Sequence, residues 1–186
     1  MKAWRFGLKA APALRVDMRG VTPAALVGKS VAEVERMPVG HGNAFVPLAE
    51  FFRIDPGDGD ALVFDGDLSR FDRVGWQSAG GELLVYGHVG HYAGGGMQAG
   101  ELVVKGNAGL LTACEMAGGT LTVQGNVGDF AASTLPGSMD GMRGGTFVVK
   151  GNAGARFGDR MRRMEEEAVG PRSADALKAL ENLEVL

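Results

Sequence analysis

The chain has 186 residues, a formal net charge of −3 and 45% hydrophobic content. That is apolar material for a real core in one or two domains, and a slightly acidic balance without a basic stretch argues against nucleic-acid binding. A single cysteine, Cys114, excludes an intrachain disulfide, and no apolar run reaches membrane-spanning length.

The first residues, Met1-Lys2-Ala3-Trp4-Arg5, lack the apolar core of a signal peptide, so a reducing cytoplasm is the expected compartment. Residues 1–60 carry no repeat and read as a small mixed capping segment. Within them, residues 21–27 read as a connector, and Gly28-Lys29-Ser30 opens a short helix that runs roughly to Met37. Ser30 and Glu33 have the spacing of a capping box, in which each side chain satisfies a backbone N–H of the first turn. Leu48-Ala49-Glu50-Phe51-Phe52 is an apolar cluster suited to covering an open sheet end.

From 61 to 163 the chain repeats. Ala61-Leu62-Val63-Phe64-Asp65-Gly66-Asp67 is a degenerate first copy, and Ser78-Ala79-Gly80-Gly81-Glu82-Leu83-Leu84-Val85-Tyr86-Gly87-His88-Val89-Gly90 a clearer one. Copies starting at Met97 and Met116 follow at steps of 19 residues. The next start, Met142, comes 26 residues on; the seven extra residues fit Leu135-Pro136-Gly137-Ser138-Met139-Asp140-Gly141, a turn-rich insertion that leaves the frame intact. In Thr120-Leu121-Thr122-Val123-Gln124 apolar and polar residues alternate, the period of a half-buried strand. This register turns Leu83, Val85, Leu102, Val104, Leu121, Val123, Phe147 and Val149 inward, and leaves Val103 and Val148 outward as candidates for a docking face. A unit this short has no room for a crossover helix. The expected fold is therefore all-β, a glycine-rich parallel β-helix of 19-residue coils.

Glycines recur at two corners, Gly87, Gly106, Gly125 and Gly151 at one, and Gly90, Gly109, Gly128 and Gly154 at the next. A corner needs positive φ or close backbone approach, and glycine supplies both. Asn107, Asn126 and Asn152 lie between them, with His88 in the equivalent place. Asparagine tolerates the left-handed region, and stacked asparagines can form a ladder. Residues 164–186 break the pattern with Glu165-Glu166-Glu167 and then an amphipathic helical stretch carrying Leu177, Leu180 and Leu183.

These rows, together with Gly28-Lys29-Ser30, His41-Gly42-Asn43 and Leu48-Ala49-Glu50-Phe51-Phe52, resemble the C subunits of formylmethanofuran dehydrogenases and of the bacterial formyltransferase/hydrolase complex over about residues 1 to 163. The repeat also resembles the C-terminal domain of the large glutamate synthase subunit; the N-terminal landmarks favour the first of these two branches. The resemblance implies a right-handed β-helix without an active site of its own. It implies partner subunits that do the chemistry: a formyltransferase working between formyl-tetrahydromethanopterin and a methanofuran-type carrier, and an amidohydrolase-like subunit with zinc that releases formate. A molybdenum or tungsten subunit would replace this pair in the dehydrogenase. The family continues into further glycine-rich coils after Arg163, where this chain turns acidic.

Several residues are candidates for chemistry, each with a plainer role beside it. His88, His91 and Tyr92 form a histidine cluster, but His88 occupies the ladder position and no acidic or cysteine ligand has suitable spacing, so a metal is not expected. Gly28-Lys29-Ser30 lacks the earlier glycine of a phosphate loop, since Pro23 stands there. Cys114 reads as a small buried residue, His41 as structural or interfacial, and Asp67, Asp129 and Asp159 as turn residues. Arg156, Arg160, Arg162 and Arg163 are candidates for contact with an acidic partner or the oligoglutamate arm of the carrier; the plainer reading pairs them with Glu165 to Glu167. A freestanding acyltransferase on a hexapeptide repeat is disfavoured by the 19-residue step.

Overall fold

The computed structural model describes residues 3–162. Its strands are β1 (Ala3–Leu8), β2 (Val16–Asp17), β3 (Pro38–His41), β4 (Ala44–Pro47), β5 (Phe52–Gly57), β6 (Ala61–Asp65), β7 (Phe71–Asp72), β8 (Ala79–Tyr86), β9 (Ala99–Val104), β10 (Thr120–Val123) and β11 (Thr146–Val149). One helix, α1 (Val31–Glu35), and two 3-10 turns, Ala24–Leu26 and Leu48–Glu50, complete the elements. Ser30 caps α1 with the full reciprocal box: its Oγ accepts the Glu33 N–H, and its own N–H donates to Glu33 Oε2 at 2.7 Å.

The strands form a seven-stranded sheet, β11-β10-β9-β8-β6-β1-β5, and a four-stranded sheet, β4-β3-β2-β7. Both are mixed: β1–β5, β2–β3 and β3–β4 are antiparallel, while β2–β7 and the ladder from β1 to β11 are parallel. This corrects the expectation of an all-β, right-handed parallel β-helix: the described residues combine two mixed sheets with a few short helices, and no closed parallel β-helix is formed among them. The reason lies in the rows themselves. From β8 onward each row contributes one strand to the long sheet, and the rest of the row runs as turns joined by single hydrogen bonds and isolated bridges such as Ala108–Val127 and Val127–Ala153.

The parallel ladder follows the repeat. Leu102 pairs with Leu121, and Leu121 with Phe147 across the insertion, so the frame is kept. All eight residues expected to face inward are buried. At the other end Phe6, Phe52, Phe64 and Phe71 pack as an aromatic cluster, with the Phe6 and Phe64 rings edge to face at 5.2 Å. Leu48, Phe51 and Phe52, expected to cover a sheet end, are buried in this cluster and its surroundings.

Opposite the strands, the turns have a regularity of their own. Arg73, Tyr92, Leu111, Phe130 and Arg156 occupy equivalent places in successive rows and all have positive φ, between 53° and 61°. The N–H groups of Arg73, Tyr92, Leu111 and Phe130 donate to carbonyls of the following row, Leu111 to Asp129 at 3.0 Å. Two positions later, Gly94, Ala113, Ala132 and Gly158 are also left-handed, and their N–H groups donate to the preceding row. Left-handed backbone costs an ordinary side chain about 1 kcal/mol or more; here the inter-row hydrogen bonds hold it in place.

Candidate functional site

The corner residues form a hydrogen-bonded column. The Asn107 N–H donates to His88 Nδ1, the Asn126 N–H to Asn107 Oδ1, and the Asn152 N–H to Asn126 Oδ1, each at 2.8 Å. The column links a side-chain acceptor to the next row's backbone rather than amide to amide, and none of these asparagines is left-handed. The glycines beside them serve close approach. A Cβ on Gly106 would lie 2.7 Å from the Gly87 carbonyl oxygen, and one on Gly151 2.5 Å from that of Gly125. On the second corner, a Cβ on Gly109 would lie 2.8 Å from the Gly90 oxygen, and one on Gly128 2.9 Å from the Gly109 carbon. Gly90 and Gly154 are closed in the same way, by the Phe71 oxygen and the Asp129 nitrogen.

A second column begins at a charged group. Arg15 grips Asp72 with two bonds, Nη2 to Oδ1 at 2.5 Å and Nε to Oδ2 at 2.7 Å. Asp72 Oδ1 also accepts the His91 N–H at 2.8 Å, and His91 Nδ1 accepts the Leu110 N–H at 3.0 Å. Burial pushes the Asp72 carboxyl upward, but the Arg15 and His91 bonds outweigh it and hold it below its ordinary value. Burial, then the Arg15 charge, holds His91 below its ordinary 6.5. A histidine depressed on folding stabilises the fold above its unfolded value and loses that contribution as pH falls through the folded one. The chain is therefore expected to lose stability on acidification below about 6.5. His91→Asn keeps an acceptor without a titrating ring, so its denaturation midpoint should fall less steeply between pH 7 and 5. Parallel wild-type and variant curves would remove His91 from the account.

His88 and His91 thus use Nδ1 as acceptors within the fold, and among the described residues no group of three His, Cys, Asp or Glu is placed to hold a metal. His41 Nε2 accepts the Leu14 N–H, and its ring meets Phe51 edge on. Cys114 is fully buried and its thiol is pushed up to about 12, which leaves no thiolate for nucleophilic work. Asp67 accepts the Ser69 N–H and Asp129 the Ala155 N–H.

The arginines divide. Arg162 pairs with Asp140 of the insertion at 2.7 Å. Arg156 lies over the Phe130 ring at 5.7 Å, and Arg160 donates to the Ser138 carbonyl at 3.3 Å. Arg163 lies outside the described residues, as do the acidic run and the helix expected over 164–186. Arg160 and Asp159 line a cleft of about 290 Å³ between the insertion and the row turns, with Leu111, Phe130 and Leu135 among its apolar walls. Nothing in the repeat announces this cleft; Phe130 and Met139 in a turn-rich stretch are its only signals in the sequence. On the strand side, Val63, Leu84, Val103, Thr122 and Val148 align in register as a half-buried outward stripe.

No family model matches the chain. A chain of the formyltransferase/hydrolase complex of Methylorubrum extorquens, crystallised with methylofuran, superimposes with a TM-score of 0.81 at 38% identity, covering 86% of this chain and 60% of that one. The C subunit of the Fhc complex from the same organism is 41% identical over 76 residues, 41% of this chain and 29% of the relative. The C subunit of tungsten-containing formylmethanofuran dehydrogenase 2 from Methanothermobacter wolfeii is 34% identical over 93 residues, 47% of this chain and 34% of the relative.

The chain is related to these C subunits. It spans about a third of the length of the curated relatives it matches, and 60% of the solved chain. These relatives belong to enzyme complexes with two different names, a formyltransferase/hydrolase and a dehydrogenase. Among the described residues, no helix is long and apolar enough to cross a membrane.

Proposed function

We propose that this chain is a non-catalytic scaffold subunit of a cytoplasmic formyltransferase/hydrolase complex. The observation that carries the reading is the 0.81 TM-score and 38% identity to a chain of such a complex over 86% of this chain. In this reading, partner subunits move a formyl group from formyl-tetrahydromethanopterin to a methanofuran-type carrier and release formate. Zinc belongs to the amidohydrolase-like partner; the described residues offer no three-ligand cluster for it. The scaffold's contribution is rigidity: a parallel ladder cross-linked by corner columns presents an outward stripe that includes Val103 and Val148, to which we assign the docking of a catalytic partner. The relation to tungsten-containing dehydrogenase subunits favours a second reading, the same scaffold in a molybdenum or tungsten formylmethanofuran dehydrogenase.

Mild affinity purification of the tagged chain from its own cells, with mass spectrometry of what is bound, tests both. Amidohydrolase-like and formyltransferase subunits are the expected companions. A molybdenum or tungsten subunit would move the chain to the dehydrogenase, and a stable, folded chain recovered alone would end the scaffold reading.

A further inference from the structure

We infer that the cleft built by the insertion is a docking site for an acidic–apolar peptide segment of a partner protein. The inference rests on the scaffold reading, and names the chemistry of one of its contacts.

Three observations converge on this place. The first is the insertion itself. It leaves the ladder after Leu135 and returns at Gly141, whose N–H donates to the Arg160 carbonyl at 2.8 Å, while the Met142 N–H donates to Ala132 at 2.9 Å. The strand register runs from β10 to β11 across it unchanged, so its seven residues add no strand to the ladder and join it only through turn and side-chain contacts such as Gly141 to Arg160 and Asp140 to Arg162. What they do is raise a wall beside the row turns and enclose a cleft of about 290 Å³, room for one or two large side chains.

The second is exposed apolar surface. Phe130 is 37% exposed and Met139, on the insertion, 74%; Leu110, adjoining Leu111 of the cleft wall, is 42% exposed. Phe130 lines the concavity and Met139 meets its Arg160, so exposed apolar surface adjoins the cleft, whereas single apolar groups scattered over a surface need no explanation.

The third is charge. Arg160 lines the cleft and touches Met139 through its guanidinium, and Arg156 lies over the ring of Phe130, which is part of the lining. Neither makes an ion pair with a carboxylate among the described residues, whereas Arg162 is held by Asp140. Asp159 is the one acidic residue in the lining. An apolar floor beside two guanidiniums that have no carboxylate partner among the described residues fits a peptide with Leu or Phe next to Asp or Glu: the apolar side chain enters the cleft and the carboxylate meets the arginine fork.

The test is an unbiased selection of random peptides displayed on phage against the full-length wild-type chain. The selected peptides are then measured on Phe130→Ser and on the double variant Arg156→Glu, Arg160→Glu, with folding of each variant checked by thermal denaturation. Leu111, at the equivalent place one row earlier in the same lining, provides a second apolar variant, Leu111→Ser, should Phe130→Ser fail to fold. The expected result is enrichment of Asp or Glu beside Leu or Phe, and at least about tenfold weaker binding to the double variant, the low end for close charge pairs across an interface. No enrichment, enrichment of another chemistry, or equal binding to all variants would each overturn the assignment. The outcome is separable from the scaffold reading. Companions recovered equally well by wild type and double variant, with no acidic–apolar enrichment, would overturn the cleft alone. Acidic–apolar peptides bound by a chain that recovers no companions would leave the cleft standing and remove the scaffold.

Discussion

Gly125→Ala is expected to destabilise the chain by about 3 kcal/mol, near the upper end for overpacking. The cost is contact, not conformation: Gly125 is not left-handed, but its added Cβ would lie 2.8 Å from both the carbon and the oxygen of Gly106. Neither can retreat. The Gly106 oxygen accepts the Gly125 N–H at 3.0 Å, and both rows are tied above and below by the asparagine column. Separating the rows by enough to admit a methyl group stretches every bond in that corner together. The control is Gly137→Ala in the insertion, where φ is +85° and nothing lies within 4 Å of the new Cβ. That variant bears only the left-handed penalty, about 1 kcal/mol. Urea denaturation of both variants separates the two causes, and equal losses would mean that close approach is not what these glycines provide.

Phe64→Ala should cost about 4 kcal/mol, within the usual range for a buried aromatic. Phe64 is fully buried and meets Phe6 at 5.2 Å and Phe52 at 5.7 Å, so three strands contribute to one aromatic contact. The cavity would be walled by rigid rings on paired strands, which relax little. Phe147 offers the comparison. It packs flat on Phe157 at 5.8 Å and is 9% exposed, in the last described row. Water can enter the space left by Phe147→Ala, so its loss should be nearer about 2 kcal/mol, the transfer contribution without the full cavity contribution. Denaturation midpoints showing the reverse order would place the stabilising core in the repeats rather than at the aromatic end.

Part of this could be read before the structure. A step of 19 residues, kept through a seven-residue insertion, and strict alternation in Thr120 to Gln124 carry the parallel register and the inward set. Ser30 and Glu33 carry the capped helix. These signals are local and depend on residue type. The expected fold class failed because it took short strands joined by tight glycine turns to close into a coil, whereas each row gives one strand to a long mixed sheet and runs on as turns. The backbone opposite the strands is left-handed at places filled by Arg73, Tyr92, Leu111, Phe130 and Arg156, residues with no shared side-chain chemistry, so nothing in the sequence marks them. The entry of β1 and β5 into the long sheet is a non-local pairing without a repeat to announce it. At the candidate site, the arginines were visible as charges. Which of them is neutralised, and which stands beside an apolar cleft, depends on where the insertion folds back.

The corner column has a direction. In every link the side-chain acceptor belongs to the earlier row and the backbone donor to the later: His88 to Asn107, Asn107 to Asn126, Asn126 to Asn152. A ribosome delivers the rows in that same order. Each later corner thus meets a side-chain acceptor that precedes it in the chain, and the aromatic end, whose last ring is Phe71, precedes every corner of the column. Each corner asparagine therefore joins both neighbours: its side chain receives the backbone of the row made after it, where there is one described, and its carbonyl receives the backbone of the row made before.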